Sequence, residues 1–286
     1  MWVFFAFLSA FFAGITSILA KCGIRKTDSN VATFIRTIVV LFFSLLMVTI
    51  VGGWETVRNI RAKTLLFLIL SGLSTGASWL CYFRALQKGN INKVVPIDKS
   101  STVLTIVLAT IFLGESITIY KVLGVVFISV GTLMMIEKKD TENRNEERGW
   151  LFYAVLSAIF ASLTSILGKV GIEGIESNLG TAIRTVVVIL MSFIMVFVTG
   201  KGSEIKEVDK KELVFILLSG ISTGASWLFY YRALQDGEAS IVVPIDKLSI
   251  LVSIAFSYIV FKEKLTKKAF LGLVIIVIGT LVLLIK

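Results

Sequence analysis

Two aspartate–lysine pairs are the side chains of this sequence best suited to chemistry. Asp98 and Lys99 follow the run Val-Val-Pro-Ile, and Asp246 and Lys247 follow the same run 148 residues later. A carboxylate can take up and release a proton, and an ammonium group can bind an anion. The surrounding stretch of 31 residues is identical in the two copies at 22 positions. A duplicated pair of charges in so apolar a sequence predicts a functional centre.

Hydroxyl side chains continue one helix face beyond each aspartate. Ser101 and Thr102 stand three and four positions after Asp98, and Ser249 stands three positions after Asp246. Because lipid offers these groups no hydrogen-bond partner, such a face is expected to line a cavity. A second interpretation stays open: the proline of Val-Val-Pro would be the first helical residue, which makes Asp98 a first-turn acid stabilised by the helix dipole.

Positive charge dominates the rest of the candidate site. Arg36 and Arg184 lie well inside their predicted helices, and Lys99 and Lys247 adjoin the aspartates. This set favours a substrate with a carboxylate or another anionic group, because arginine binds such groups through two parallel hydrogen bonds. Alternatively, the charges neutralise one another in structural pairs, which would say nothing about a ligand.

Two aromatic pairs recur at a spacing of three residues, which places both rings of a pair on one helix face. They are Trp79 with Tyr82, and Trp227 with Tyr230. We predict that they form an aromatic wall of the binding site; the alternative is a belt at the membrane interface.

Glycines and two glutamates have structural interpretations. Glycine pairs spaced by four and seven residues predict close helix packing: Gly72 and Gly76, Gly220 and Gly224, Gly124 and Gly131, Gly272 and Gly279. The last two pairs predict packing of the fifth predicted helix on the tenth. Glu115 and Glu263 end their helices near basic residues, which predicts ion pairs at the surface.

The composition identifies the elements that must hold these residues. Of 286 residues, 56% are hydrophobic, and the mean hydropathy is +0.90. The apolar residues come in blocks of about 20, the length of a membrane-spanning helix. The chain has no histidine, which excludes histidine metal sites and histidine-dependent catalytic triads. The net charge of +10 lies mainly in short loops, so it predicts contact with lipid headgroups rather than nucleic acid.

The apolar blocks predict an all-α membrane protein with ten transmembrane helices in two five-helix repeats. The helices are expected at about 2–21, 31–51, 64–87, 91–113, 118–136, 150–169, 179–199, 211–235, 239–261 and 266–285. The first repeat would cover 1–138 and the second 149–286, with a polar linker at 139–148. Because five is odd, the second repeat starts on the opposite side of the membrane, which is the inverted-repeat plan of secondary transporters.

Lysine and arginine in the loops predict the orientation. The side that carries the linker has 18 of these residues, and the other side has 7. Since positive loops face the cytoplasm, the linker is expected in the cytoplasm and both termini outside.

The two halves resemble tandem EamA domains of the drug/metabolite transporter superfamily. The resemblance rests on Arg36, the Ala-Leu-Gln that closes the third helix, the Val-Val-Pro that opens the fourth, and Leu-Gly-Glu-Ser-Ile-Thr at 113–118. The second copy has Arg184, Ala-Leu-Gln, Val-Val-Pro and Lys-Glu-Lys-Leu-Thr at 262–266. The resemblance implies this fold. It also implies that both termini lie in the cytoplasm, whereas the loop charges predict that they lie outside. The Asp-Lys after Pro-Ile departs from the family, where these positions are usually small and polar.

The expected function is secondary active transport of a small polar metabolite, amino-acid-like or anionic, across the plasma membrane. We predict an exporter coupled to protons through Asp98 and Asp246, the acids deepest in the predicted helices. An intramembrane enzyme is disfavoured, since no nucleophile motif accompanies the missing histidines. The remaining alternative is a non-transporting lipid-binding or assembly subunit. Expected partners are the substrate, membrane lipids and protons, with no cofactor, metal or nucleic acid, in a monomer or homodimer.

Overall fold

A computed structural model describes residues 1–23, 26–88, 97, 100–135, 149–261 and 266–285. Within these residues the chain forms eleven α-helices: α1 Trp2–Gly23, α2 Ser29–Val51, α3 Ala62–Lys88, α4 Ser101–Leu113, α5 Ile119–Met135, α6 Trp150–Gly171, α7 Ser177–Val198, α8 Lys210–Asp236, α9 Ala239–Lys247, α10 Ser249–Phe261 and α11 Lys267–Val282. Short 3₁₀ helices at Gly53–Asn59 and Ser203–Lys206 follow α2 and α7.

Seven stretches of the described residues are long and apolar enough to cross a membrane. They are Trp2–Ala20, Asn30–Val51, Ala62–Tyr82, Trp150–Gly171, Ser177–Val198, Lys210–Asp236 and Ala239–Phe256. Two shorter apolar helices cover Ser101–Leu113 and Ile119–Met134. The prediction of an all-helical, multi-pass membrane protein is therefore confirmed for the described part of the chain. The division into ten spans stays a prediction.

The predicted ninth helix, 239–261, is wrong as one continuous helix. It consists of α9 and α10, which are separated at Leu248. Pro244 lies inside α9, where it lacks the N–H that an α-helix needs. Leu248 N then donates to Ile245 O at 2.9 Å, the three-residue spacing of a tight turn. Asp246 is thus near the end of α9, so the second copy does not have a first-turn acid after its proline.

Helices of one half pack mainly on helices of the other. The pairs are α3 with α6, α1 with α8, α2 with α7 and α5 with α11. A Cβ added at Gly72 would lie 2.7 Å from Val187 Cβ, and one added at Gly220 would lie 2.7 Å from Val39 Cβ. These two contacts are related by the 148-residue offset of the sequence repeat. The predicted role of these glycines in close helix packing is confirmed.

The glycines of α5 and α11 bring the two helices together in antiparallel fashion. A Cβ at Gly131 would lie 2.5 Å from Gly272 O, and a Cβ at Gly124 would lie 3.0 Å from Gly279 O. A side chain at Gly131 would force the backbones apart, because the nearest atom that it meets is a main-chain oxygen. A side chain at Gly124 would also meet the Leu283 side chain, at 2.5 Å. The predicted packing of these two helices is confirmed.

One end of the bundle, which we call the Glu115 end, is closely packed. A Cβ at Gly171, where α6 ends, would lie 2.8 Å from Leu68 near the start of α3, and one at Gly237 would lie 2.7 Å from Trp2. Glu115, which follows α4, lies at this end as well, beside the start of α9. A large apolar cluster fills the interior there; its members include Leu68, Ile166, Ile172, Leu234, Val242 and Ile245.

Candidate functional site

A cavity of about 240 Å³ lies between the two halves. Helices α1 and α3 line it from the first half, and α6 to α9 line it from the second. Six predicted site residues contribute to its wall: Trp79, Arg184, Trp227, Tyr230, Asp246 and Lys247. The remaining lining residues include small and hydroxyl side chains such as Thr75, Ser78 and Ser226. The cavity therefore combines charge, hydroxyl groups and aromatic rings.

Arg184 of α7 is the most constrained charged side chain of the cavity. Only 1% of it is exposed. Its Nε donates to the Ser71 hydroxyl at 3.2 Å, and its Nη2 donates to the Thr75 hydroxyl at 3.0 Å. The guanidinium carbon lies 4.9 Å from the Trp227 ring centre and 4.4 Å from that of Tyr231, within the range of cation–π attraction. Nη1 is buried and has no hydrogen-bond partner among the described residues.

Aromatic side chains form part of the cavity wall. The rings of Trp79 and Trp227 come from opposite halves, and their centres lie 6.4 Å apart with an interplanar angle of 35°. The Tyr230 hydroxyl donates to Ser165 Oγ at 2.7 Å, which fixes the phenol at the cavity. These positions favour the aromatic wall over the interfacial belt for Trp79, Trp227 and Tyr230. Tyr82 instead packs beside Ala85 and Ala154.

The second aspartate–lysine pair reaches the cavity at the end of α9. Asp246 is half-buried and accepts a hydrogen bond of 2.6 Å from Ser9 Oγ of α1. The Ser9 hydroxyl also lies 3.3 Å from that of Ser226 on α8. Lys247, half-buried, forms no ion pair with the described residues. The pair thus places a carboxylate held by a hydroxyl group and an ammonium group in the cavity wall.

Four other predicted site residues lie away from this wall. The carbonyl oxygen of Arg36 packs against Gly220, where an added Cβ would lie 3.1 Å from it. The Arg36 side chain is half-buried. Ser101 and Thr102 are buried on α4, at 3% and 1% exposure. Ser249 begins α10, where its carbonyl packs against Gly14. Substrate binding by these residues stays a prediction, and Asp98 and Lys99 lie outside the described residues.

Sequence reasoning missed two residues of this site. Tyr231 packs against the Arg184 guanidinium. The signal in the sequence is that both halves have an aromatic residue at this position, since Phe83 matches Tyr231 in the first half. Ser9 binds Asp246 from a helix that is otherwise strongly apolar. A fully buried hydroxyl group in such a helix needs a partner, which is the signal that marks it.

The prediction that Glu115 pairs with basic residues is confirmed, but its location at the surface is wrong. Its side chain is only 7% exposed and lies 3.8 Å from the ammonium nitrogens of both Lys121 and Lys169. The carboxylate also accepts hydrogen bonds from the backbone of Ala239 and Ser240 at the start of α9. Unpaired N–H groups at a helix start attract a carboxylate, which explains why the side chain turns inward. Glu263 lies outside the described residues.

Comparison with known proteins supplies the family. The model of the EamA-like transporter family matches residues 1–137 and 148–285. An uncharacterized transporter of Sinorhizobium is 46% identical over 134 residues, which are 47% of this chain and 95% of that protein. An S-adenosylmethionine uptake transporter of Rickettsia felis is 28% identical and aligns with 74% of this chain and 69% of its own length.

A solved structure shows the same fold. A crystal structure with 12% sequence identity superposes with a TM-score of 0.78 and covers 97% of this chain and 94% of its own. These comparisons point to a transporter rather than an enzyme and confirm the resemblance to the drug/metabolite transporter superfamily. With both halves matched by the same family model, the chain belongs to the EamA-like transporter family.

Proposed function

We propose that the protein is a secondary active transporter of a small polar metabolite with an anionic group, amino-acid-like or simply anionic. The observation that carries this proposal is the position of Arg184 in the cavity wall, with a buried Nη1 that has no hydrogen-bond partner among the described residues. A buried donor without a partner costs about 1–3 kcal/mol, and more when it is charged. A substrate carboxylate that pairs with this nitrogen removes that cost and forms a charge-assisted hydrogen bond.

The size and walls of the cavity support a small substrate. Its volume of about 240 Å³ lies below the usual range of pockets for drug-sized ligands, roughly 300–1,000 Å³. The Trp79 and Trp227 rings offer an apolar surface to the uncharged part of the substrate. Asp246 offers a partner for a positive group, so a zwitterion fits as well as an anion.

Transport would proceed by alternating access between two inverted repeats. The paired contacts of Gly72 and Gly220, related by the repeat offset, support a ten-span arrangement with the cavity between its halves. We assign proton coupling to Asp246 and to Asp98 of the other copy, since alternating access allows the surroundings of a carboxylate to differ between states. In this proposal the protein lies in the plasma membrane, with the linker in the cytoplasm, and exports its substrate.

A non-transporting lipid-binding or assembly subunit is the second candidate. Long exposed apolar helix faces suit lipid contact, but they are equally a property of any membrane protein. The buried cation at a polar cavity gives such a subunit no advantage, so transport is the better account. An enzymatic role is disfavoured, because the chain has no histidine to activate the hydroxyl groups of the cavity.

Purified protein in proteoliposomes tests the proposal. Counterflow is measured with neutral amino acids, short dicarboxylates and, because of the Rickettsia relative, S-adenosylmethionine. We expect exchange of at least one carboxylated compound, which also raises the thermal stability of the detergent-solubilised protein. A matched amine or alcohol that lacks the carboxylate is expected to exchange far more slowly. Equal exchange of both compounds would exclude recognition of the anionic group, and no exchange of any of them would favour the non-transporting subunit.

A further inference from the structure

Glu115 links the two halves of the protein at the start of α9. The residue follows α4 of the first half, whereas α9 belongs to the second. Its carboxylate accepts hydrogen bonds from Ala239 N at 2.7 Å and Ser240 N at 3.1 Å, and also from the Ser240 hydroxyl. Glu115 therefore caps a helix to which it is joined by more than 120 residues of chain.

Two lysines surround this cap and complete a charge network. The Nζ atoms of Lys121 and Lys169 each lie 3.8 Å from the Glu115 carboxylate. Lys121 also pairs with Glu238 at 2.5 Å, and Lys169 donates to the carbonyl of Gly237. We call Glu115, Lys121, Lys169 and Glu238 the Glu115 network. Glu115 and Lys121 belong to the first half, and Lys169 and Glu238 belong to the second. The ion pairs of Glu115 with Lys169 and of Lys121 with Glu238 therefore join the two halves.

Helix α9 connects this network to the cavity. Its first residues bind Glu115, and Asp246 and Lys247 at its other end line the cavity. The seven helical steps from Ala239 to Asp246 place these ends about 10 Å apart at a rise of about 1.5 Å per residue. Along this length Val242 and Ile245 are buried in the apolar cluster of the Glu115 end, which separates the network from the cavity.

We propose that Glu115 holds the cavity closed at this end, and that it positions Asp246 and Lys247 through its cap on α9. When the carboxylate releases the helix start, α9 and the apolar cluster can separate from the first half and open the cavity at the Glu115 end. This inference rests on the proposed transport by alternating access, in which such an opening is one of two required states. It assigns to Glu115 a role in gating rather than in contact with the substrate.

Glu115→Gln tests the role with little change in shape. Glutamine keeps the size and one oxygen acceptor but removes the charge that both lysines and the helix start require. The reporter is a single cysteine, Ala161→Cys, at the cavity wall in a background with Cys22→Ser and Cys81→Ser. Its reaction with a membrane-impermeant maleimide is timed from each side of proteoliposomes. A separate cysteine at the exposed Glu55 marks the Glu115 end, because neighbouring Gly53 packs on Glu176 at the start of α7.

We expect Glu115→Gln to accelerate labelling of the Ala161→Cys site from the Glu115 end about tenfold, the effect of one lost charge-assisted hydrogen bond. Labelling from the opposite end should stay the same or slow. The matched control is Glu204→Gln, which removes a carboxylate from a partly exposed ion pair with Lys201 inside one loop. It is expected to leave both labelling rates within about twofold, as surface pairs contribute little.

Two results would overturn the inference. One is an unchanged labelling rate from the Glu115 end; the other is an equal increase from both ends, which would indicate general loosening. Lys169→Met serves as a second variant if Glu115→Gln does not fold, and it should accelerate labelling from the same end about threefold, because Lys121 still faces the carboxylate. Substrate counterflow by the parent protein is measured in parallel. Absent counterflow counts against transport, whereas normal counterflow with unchanged labelling in Glu115→Gln counts against this inference alone.

Discussion

Replacing Arg184 by lysine separates the charge of this residue from its geometry. Arg184→Lys keeps a cation at the cavity but removes the planar guanidinium and its unpaired Nη1. The ammonium group cannot reproduce the two bonds to Ser71 and Thr75 while it lies between the Trp227 and Tyr231 rings. We therefore expect substrate affinity to fall although the net charge of the site is unchanged.

The size of the loss follows from the bond that the substrate would form. A hydrogen bond to a charged group contributes about 1.5–3 kcal/mol, which corresponds to a rise in Kd of about 10- to 150-fold. The fold should tolerate the change better than the binding does. Ser71 Oγ also donates to Thr164 O at 2.8 Å and Thr75 Oγ1 donates to Ser71 O at 2.9 Å, so both hydroxyl groups keep a partner.

Arg36→Lys is the matched control for this experiment. Arg36 occupies the equivalent position of the first half, but it is half-buried and away from the cavity wall. In contrast to the expectation from the sequence, this position predicts that its substitution changes Kd by less than about threefold, or about 0.7 kcal/mol. Kd is measured by isothermal titration of the solubilised protein with a carboxylated substrate found by counterflow. Equal losses at the two positions, or no loss at Arg184, would refute the assignment of the anion site to Arg184.

Three further predictions concern topology, packing and coupling. In intact cells, an impermeant thiol reagent should label a cysteine at Glu55 and spare one at Asn143; the reverse pattern would refute the orientation deduced from the loop charges. Gly131→Ala should lower the melting temperature by roughly 2–12 °C through overpacking, because its Cβ would meet Gly272 O at 2.5 Å. The control Gly202→Ala meets only the Phe197 ring, at 3.1 Å, and should change the melting temperature little. Equal shifts for the two variants would contradict the packing argument. Asp246→Asn and Asp98→Asn should each abolish proton-driven accumulation in proteoliposomes but leave some exchange, with Asp98 the more sensitive; accumulation at the parent rate in the double variant would exclude coupling through these residues.

The repeated glycines in the sequence predicted the close helix contacts well, because two helices can approach closely only where a side chain is absent. Glycine at matching positions of both halves allows the same close approach twice, and Gly72 and Gly220 show it with Val187 and Val39. Three of the charged residues that the sequence singled out, Arg184, Asp246 and Lys247, line the cavity for a similar reason. A charge in an apolar helix is stable only beside polar groups, so the interior is where it must lie.

The buried position of the Glu115 side chain could not be predicted from the sequence, because its partners are distant in the chain. A glutamate that ends a helix beside lysines looks the same whether it faces water or a helix start in the other half. Only the fold brings the backbone N–H groups of Ala239 and Ser240 to its carboxylate. The interruption at Leu248 was missed for a related reason, since Pro244 is compatible both with a helix start and with a helix interior that bends.

The repeat also could not predict which copy of a residue meets the cavity. Arg36 and Arg184 are equivalent in sequence, yet only Arg184 lines the cavity, where Tyr231 stacks on it from a position that is Phe83 in the first half. A transporter whose halves are related by inverted symmetry opens its cavity to one side at a time, and any single conformation must then break that symmetry. The halves consequently have different contacts in one state, even at positions where their residues are identical. Identity between the copies predicts that a residue type matters to the mechanism, and the structure of each state decides which copy acts in it.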